Sequence, residues 1–280
     1  MSRLSEREFL EPKGPILPFS IATYNVLATA YMHPAHYRRS PKMILNPTWR
    51  VPALAQYVAN LTADVICLQE VEPDALATLR TRLGSLGYAA HYARRRGGKP
   101  DGCATFYRQE IFKSLEARAV AYRDGDKMDD DSGDIALIVV LRGSEGILGV
   151  ANTHLMWEPP GTPDQAQRAH RKARQLLSEC ASATHGCRGW IICGDLNATP
   201  DSPAIAAIEA AGFHHTRRGL SEAFTCNVGG QAKMIDYLFH SSELHSIPRP
   251  ILPISAQAPL PSAEQPSDHL PVIADLNWEA

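Results

Sequence analysis

Paired cysteines and an excess of charge of one sign are both missing from this 280-residue chain. The six cysteines (Cys67, Cys103, Cys180, Cys187, Cys193 and Cys226) form no C-x-x-C pair, and several fall inside apolar runs. They read as reduced core residues of an intracellular protein, not as a zinc site or a disulfide frame. Lys and Arg number 28 against 30 Asp and Glu. No overall positive field therefore advertises a polyanion partner, and any nucleic-acid contact must come from a local patch. No apolar run approaches the ~18 residues of a membrane span. Residues 1–18 are polar, contain proline and lack the apolar stretch of a signal peptide. We expect a flexible leader there, a cytoplasmic location, no membrane contact and a monomer. No repeat and no convincing linker divides the remainder, so residues 19–280 are expected to form a single domain.

What is present is a series of short apolar runs, each ended abruptly by a polar side chain. The clearest is Trp190-Ile191-Ile192-Cys193-Gly194-Asp195-Leu196-Asn197, a strand buried on both faces that sets down a carboxylate and an amide at its end. An unpaired charge there is costly, so Asp195 must meet a cation, a metal or solvent. The design recurs: Phe19 to Leu27 carries Asn25, Val65 to Leu68 ends in Gln69-Glu70, and Ile147 to Thr153 ends in Asn152-Thr153-His154. Asp236 lies inside the run Met234 to Phe239, and Ser267-Asp268-His269 precedes the last strand, Leu270 to Leu276. Tyr88 to Tyr92, Cys103 to Tyr107 and Ile135 to Leu141 complete nine expected strands.

Four helices are expected between them. Val51, Leu54, Ala55 and Val58 mark one apolar face; Pro73 and Gly84 bracket the next helix; Thr162-Pro163 with Gln165 forms a capping box; Ser202-Pro203 opens the fourth. Runs of strands together with helices suggest two packed sheets covered by helices. Three connections stand out. Ala28 to Trp49 is a long loop with His33 and His36, which we read as solvent-facing. Ala93 to Gly102 holds the one concentrated basic cluster, Arg94, Arg95, Arg96 and Lys99, and Arg96 is taken as a phosphate contact. Arg123 to Asp134 is acidic, lacks EF-hand spacing and reads as a solvated loop.

The polar residues that punctuate the strands are all oxygen or imidazole groups. Carboxylates with amide oxygens suit a hard cation, Mg²⁺ or Mn²⁺, which keeps waters and binds substrate phosphates. A His–Asp pair beside it suits hydrolysis, because the carboxylate fixes the imidazole tautomer and favours its protonated form.

The set Asn25, Leu68-Gln69-Glu70, Asn152-Thr153-His154, Gly194-Asp195-Leu196-Asn197, Ile235-Asp236-Tyr237 and Ser267-Asp268-His269 resembles the endonuclease/exonuclease/phosphatase superfamily, in the family's order from about residue 20 to 276. Tyr24-Asn25-Val26-Leu27, Leu45-Asn46 with Arg50, Asp101-Gly102-Cys103-Ala104 and Trp157 are similar to its Ccr4-type deadenylase branch, which includes nocturnin-like and 2′,5′-phosphodiesterase-like members. The resemblance implies a DNase I-like four-layer α/β sandwich, two mixed β-sheets packed face to face with helices outside. It implies that Glu70, Asn25 and Asp268 hold Mg²⁺ and that Asp195 and Asn197 position the attacking water or a second metal and the scissile phosphate. It gives His269, oriented by Asp236, the role of base or phosphate contact, and His154 that of stabilising developing charge. Asn152, Trp157, Pro159, Lys233 and Arg96 would bind substrate. The implied activity is 3′–5′ exonucleolytic hydrolysis of single-stranded RNA to 5′-nucleotides. A phosphatase or phosphodiesterase acting on a small nucleotide, and a non-catalytic RNA-binding module, are the alternatives. Ala232 stands where poly(A)-preferring members carry an aromatic before the lysine, so one adenine-stacking platform, about 1–3 kcal/mol per base, is missing.

Overall fold

Alternation hidden inside the apolar runs decides the architecture. A computed structural model describes residues 18–123, 132–157, 165–183, 185–220, 224–228, 230–252, 255 and 257–279; the expected leader and the capping box at Thr162 fall almost wholly outside them. The strands in chain order are β1 (Phe19–Asn25), β2 (Val65–Gln69), β3 (Tyr88–Arg94), β4 (Gly102–Arg108), β5 (Lys113–Ala121), β6 (Ile135–Gly143) and β7 (Gly146–His154). They continue as β8 (Gly189–Asp195), β9 (His214–His215), β10 (Cys226–Val228), β11 (Gln231–Lys233), β12 (Asp236–His240), β13 (Leu244–Pro248) and β14 (Val272–Trp278). The helices are α1 (Pro47–Ala59), α2 (Pro73–Gly84), α3 (Gln165–Ala181) and α4 (Pro203–Ala210). Five of the strands, β5, β9, β10, β11 and β13, go beyond the nine expected.

Two six-stranded mixed sheets result, ordered β13-β14-β1-β2-β4-β3 and β5-β6-β7-β8-β12-β9, with β10 and β11 as a separate hairpin. Each large sheet has one parallel pair, β1–β2 or β7–β8, and its other pairs are antiparallel. A helix lies between the paired strands in sequence, α1 in the first sheet and α3 in the second, as parallel pairing requires.

Ile21, Val65, Cys67, Val150, Ile191, Cys193 and Val272 form the core between the sheets. Their chain neighbours face outward. Ala22, Tyr24, Ile66 and Leu68 pack on Leu54 and Val58 of α1 and Leu76 and Leu79 of α2. On the other flank, Ala151, Ile192, Tyr237 and Phe239 pack on Leu176 of α3 and Ile205 and Ile208 of α4. The layers are helix, sheet, sheet, helix: the four-layer α/β sandwich. Both strand faces are buried, which explains why the sequence shows continuous apolar runs.

The inward rows turn polar at one end only. Ile21 gives way to Thr23 and Asn25, Cys67 to Gln69, Val150 to Asn152 and His154, and Cys193 to Asp195. Register brings these ends together, with Asn25 beside Gln69, His154 beside Asp195, and Asp236 opposite Asp195 on the antiparallel neighbour.

Asn152, expected to touch substrate, instead joins the sheets. Its Nδ2 donates to the carbonyls of Leu68 (3.2 Å) and Ala104 (3.0 Å), while its Oδ1 accepts from Gln69 Nε2 at 2.7 Å. A fully buried amide must satisfy its donors and acceptor inside the protein, and none of its polar atoms is left for a ligand. Asn152→Ala is expected to cost about 1–3 kcal/mol, read as a lower urea midpoint; an unchanged midpoint would show that the clip is idle.

Candidate active site

Backbone geometry at the polar strand ends is specific. Gly194 has φ +137°, and a Cβ there would lie 1.8 Å from the Thr153 carbonyl oxygen, so only glycine lets β8 pass β7 and present Asp195. Asn197 (φ 48°) and Glu70 (φ 58°) occupy the left-handed region. Asn tolerates that region, whereas Glu does so at a cost of roughly 1–3 kcal/mol. Glu70 is held there by its contacts: Oε2 accepts from Ala28 N–H at 2.8 Å and Oε1 from Asn25 Nδ2 at 2.9 Å.

Asn25 Nδ2 also donates to Asp195 Oδ2 at 3.0 Å, and its Oδ1 accepts from Leu27 N–H. The structure thus makes Asn25, expected as a cation ligand, the link between two carboxylates. Asp195 Oδ1 accepts from Asn197 N–H at 2.9 Å. His269 Nδ1 lies 3.0 and 2.9 Å from the two oxygens of Asp236, while its Nε2 is 3.7 Å from Asp195 Oδ2. Tyr37 OH donates to Asp268 Oδ2 at 2.8 Å. Asn197 Nδ2 donates to the Leu155 carbonyl at 2.7 Å, which orients that amide, and lies 3.1 Å from His154 Nε2. His154 Nε2 is therefore the acceptor and Nδ1 carries the proton, an assignment made from the hydrogen-bond network. His154 Nδ1 is buried without a partner among the described residues.

Electrostatics separates these groups. Burial would lower His269, but the Asp236 carboxylate on Nδ1 and the neighbouring Cys226 outweigh it and raise the imidazole well above 6.5. Burial, with the charges of Arg95, His269 and Lys99, lowers His154 well below 6.5. Burial raises Glu70 to about 7, and Asp268 adds to the rise against the Asn25 hydrogen bond. Asp195 is raised to about 8 by burial and by Asp236, against the pull of His269.

A cavity of about 750 Å³ opens over these groups. Glu70, His154, Asp195, Asn197, Asp268 and His269 line it, with Trp157 and Lys233 also on its walls. Asn25 and Asp236 stand behind that layer. Trp157 is 52 % exposed. Pro159 lies outside the described residues. Arg96 does not line the cavity: it is exposed, and its backbone N–H donates to Gly133. Arg95 and Lys99 of the same basic run line the wall instead. Arg95 pairs with Asp134, whose other oxygen accepts from Lys172 Nζ at 2.8 Å and Met156 N–H at 2.7 Å. Asp134, read as the end of a solvated loop, is fully buried because it neutralises two cavity-wall cations. Sequence reasoning also missed Tyr31, which donates to Asp101 Oδ1 at 2.6 Å, and Tyr37 and Cys226. The first two sit in a long loop without periodicity, and Cys226 carries no motif.

A divalent cation fits this donor set. Among the described residues the basic groups within 4 Å of Glu70, Asp195, Asp236 and Asp268 are the imidazoles of His154 and His269, and burial keeps His154 neutral, so four buried carboxyl groups share one charged partner. Glu70 and Asp268 offer hard oxygen atoms on the cavity wall, the donor type that Mg²⁺ and Mn²⁺ take.

The sequence model of the Endonuclease/Exonuclease/phosphatase family matches residues 22–269. The chain belongs to this family. Members similar to it include protein angel homolog 2 of Mus musculus, 33 % identical over 206 residues, covering 68 % of this chain and 37 % of the relative. The chain therefore matches little more than a third of the length of that relative. Carbon catabolite repressor protein 4 homolog 4 of Arabidopsis thaliana is 27 % identical over 92 % of this chain and 77 % of its own. Among solved structures, ANGEL2, described as a 2′,3′-cyclic phosphatase and bound to adenosine-2′,3′-vanadate, has TM-score 0.79 and 24 % identity, covering 95 % and 97 % of the two chains. The human Nocturnin catalytic domain has TM-score 0.73 and 23 % identity over 94 % of each chain. These likenesses establish the DNase I-like fold shared by endonuclease/exonuclease/phosphatase members.

Cation binding should depend on pH with a definite sign. Without a cation, Glu70 titrates near 7 and Asp195 near 8, above their unfolded values near 4. Their contribution to stability is full below the unfolded values and lost as pH rises through 7–8. A cation must displace those protons, so its apparent affinity should rise about tenfold per pH unit for each proton released below pH 7. Thermal melts with EDTA and with Mg²⁺ or Mn²⁺ should show a larger gain in Tm at pH 8.5 than at pH 6; a pH-independent gain would place the ion elsewhere.

Proposed function

We propose that the chain is a Mg²⁺-dependent phosphoesterase acting at the 3′ end of RNA, with a terminal 2′,3′-cyclic phosphate as its preferred substrate. One observation carries the chemistry. A carboxylate poised near neutrality, Asp195, and an imidazole charged by a buried carboxylate, His269 on Asp236, face one cavity with their reactive atoms 3.7 Å apart. Neighbouring titratable groups with strongly shifted pKa values in one cleft are the mark of a functional site. His269, protonated at neutral pH, has no lone pair with which to accept a proton. It donates a hydrogen bond to a phosphoryl oxygen through Nε2. Asp195 takes the proton of the attacking water as one ribose O–P bond breaks and returns it to the departing ribose oxygen. A second hydrolysis of the resulting monoester releases phosphate. Asn25 Nδ2 and Asn197 N–H hold the Asp195 carboxylate in place. His154 faces the site through Nε2, 3.5 Å from Asp195 and 3.9 Å from Glu70, and its role is to stabilise charge that develops on phosphorus-bound oxygen. Glu70 and Asp268 would hold the cation, which neutralises phosphate charge when bound.

The choice of a cyclic phosphate rests on similarity to angel homologues and to ANGEL2. A second reading, 3′–5′ exonucleolytic release of 5′-nucleotides, is supported by the Ccr4 homolog 4 match over 92 % of the chain. Ala232, in place of an aromatic, favours the first reading because strong adenine selectivity needs a second platform. Substrate contacts on the cavity wall are assigned to Trp157 and Lys233.

Incubation with Mg²⁺ and an oligoribonucleotide ending in 2′,3′-cyclic phosphate tests both readings: loss of the terminal phosphate at constant chain length supports the first, and stepwise shortening supports the second. His269→Ala is expected to lower kcat by about 10²–10⁴-fold, with Glu70→Gln comparable; wild-type turnover in either variant would overturn the mechanism. Asp236→Asn removes the charge that raises His269. Activity requires protonated His269, so the alkaline limb of the pH–rate profile should move to lower pH.

A further inference from the structure

Cys226 lies on the wall of the catalytic cavity, and the proposed reaction gives it no part. Its backbone forms an antiparallel bridge with His269. Leu270 N–H donates to the Thr225 carbonyl at 2.7 Å and Asn227 N–H to that of Asp268 at 2.9 Å. The start of β10 is thereby laid against the Asp268-His269 segment, and residues directly opposed in such a pair face the same side. One donor atom each from Cys226, Asp268 and His269 lies within 4.8 Å of the other two. The three residues are 4, 3 and 5 % exposed, and all line the cavity. Two existing contacts orient the donors. Asp236 holds Nδ1 of His269, while Nε2 stands 3.7 Å from Asp195 Oδ2 and 4.0 Å from Asp268 Oδ1, beyond hydrogen-bond reach of both. Tyr37 takes Asp268 Oδ2, which leaves Oδ1 on the His269 side.

A sulfur, an imidazole nitrogen and a carboxylate oxygen make up a donor set for Zn²⁺, whereas Mg²⁺ takes oxygen. An imidazole whose other nitrogen is held by a carboxylate is also the arrangement in which histidine binds zinc, because the carboxylate fixes the ring and makes the free nitrogen more basic. Donors bound to zinc at roughly 2.0–2.3 Å stand about 3.3–3.8 Å apart, so side-chain shifts of about 1 Å close these three on one ion. Three protein ligands leave the fourth tetrahedral position to water from the cavity. The ion displaces one proton from the Cys226 thiol and one from His269 Nε2, both to solvent. We infer that Cys226, Asp268 and His269 form a zinc-preferring site, and that zinc bound there inhibits the Mg²⁺-supported reaction. Occupation removes two groups that the reaction needs: His269 Nε2 no longer donates to the phosphate, and Asp268 is no longer free for Mg²⁺. The inhibition rests on the proposed phosphoesterase mechanism; the binding rests on the three donors alone.

Co²⁺, which takes the place of zinc in such sites and absorbs light, reads the binding. Metal-free wild type given one equivalent of Co²⁺ should develop a thiolate-to-cobalt charge-transfer band in the near ultraviolet, and added Zn²⁺ should abolish it. Cys226→Ser and Cys226→Ala should lack the band. Cys187→Ser should retain it, because that half-buried cysteine does not line the cavity. No band in wild type, or a band that persists in the Cys226 variants, overturns the site. In the Mg²⁺-supported assay on the oligoribonucleotide ending in 2′,3′-cyclic phosphate, Zn²⁺ should inhibit wild type. Cys226→Ser should raise the half-inhibitory concentration more than about tenfold, the scale on which even the outer partners of a ligand act. Each variant is scored against its own zinc-free rate. Equal inhibition of wild type and Cys226→Ser overturns the proposal while leaving the phosphoesterase reading intact. If wild type hydrolyses nothing with Mg²⁺, that reading fails, and the cobalt band alone decides the site.

Discussion

Buried carboxylates that lack a lysine or arginine partner are the constraint on which this molecule turns. Glu70, Asp195, Asp236 and Asp268 converge where two sheets meet, and the basic groups beside them among the described residues are two imidazoles, of which only His269 is charged. Such a cluster opposes folding unless protons or a cation neutralise it. Glu70 and Asp195 show the first response, each drawn up toward neutrality by burial. The second response connects stability to function, since the species that relieves the repulsion is also one that draws a phosphate to the cavity. Strain is concentrated at the same place, in the left-handed backbone of Glu70 and Asn197.

The scaffold meets this cost through order elsewhere. Arg50, wholly buried on α1, donates to the carbonyls of Val26 (2.9 Å), Leu27 (2.6 Å) and Pro266 (3.3 Å). It ties the chain after β1 to the segment before Asp268. Ser267 Oγ donates to the Asn25 carbonyl at 2.8 Å, so residues more than 240 positions apart are joined at the edge of the site. Neither contact touches the cavity, yet each fixes a carboxylate that does. The Asn152–Gln69 clip serves the same end from beneath, where an apolar pair could hold the sheets together but could not set their register so specifically.

What the sequence showed follows from what each strand faces. The nine expected strands are those with a continuous apolar run, and their ends gave away Asn25, Glu70, His154, Asp195, Asp236, Asp268 and His269 because a polar residue in such a run has no packing reason to be there. The five strands that escaped notice are edges or a small hairpin. β5 alternates Glu116 and Arg118 with small apolar residues, and β9, β13, β10 and β11 are short; exposed, charged and brief strands are how sheets protect their edges, and they read as loops. Role was harder to read than position. Asn152 and Asn25 were legible as punctuation, but only three dimensions reveal that one amide is spent between sheets and the other between carboxylates. Within the Arg94–Arg96 run, nothing in the sequence distinguishes the arginine that turns inward.

That inward turn bears on how the phosphate of the proposed substrate would enter a chain with a net charge of −2. Arg95 and Lys172 on the cavity wall share Asp134, and Asp101 lies 3.7 Å from Arg95 with Tyr31 on its other side. The four charges nearly cancel at long range, so they add little to the field that a distant nucleic acid feels. At short range the cancellation is incomplete, because both acids sit behind the wall, fully buried, while Arg95 and Lys172 line the cavity with Lys99 and Arg168. With Debye screening near 8 Å at physiological salt, a phosphate senses these cations only once inside. Such a site trades fast electrostatic steering for selection at contact, and shape at the cavity mouth then decides which phosphate is admitted.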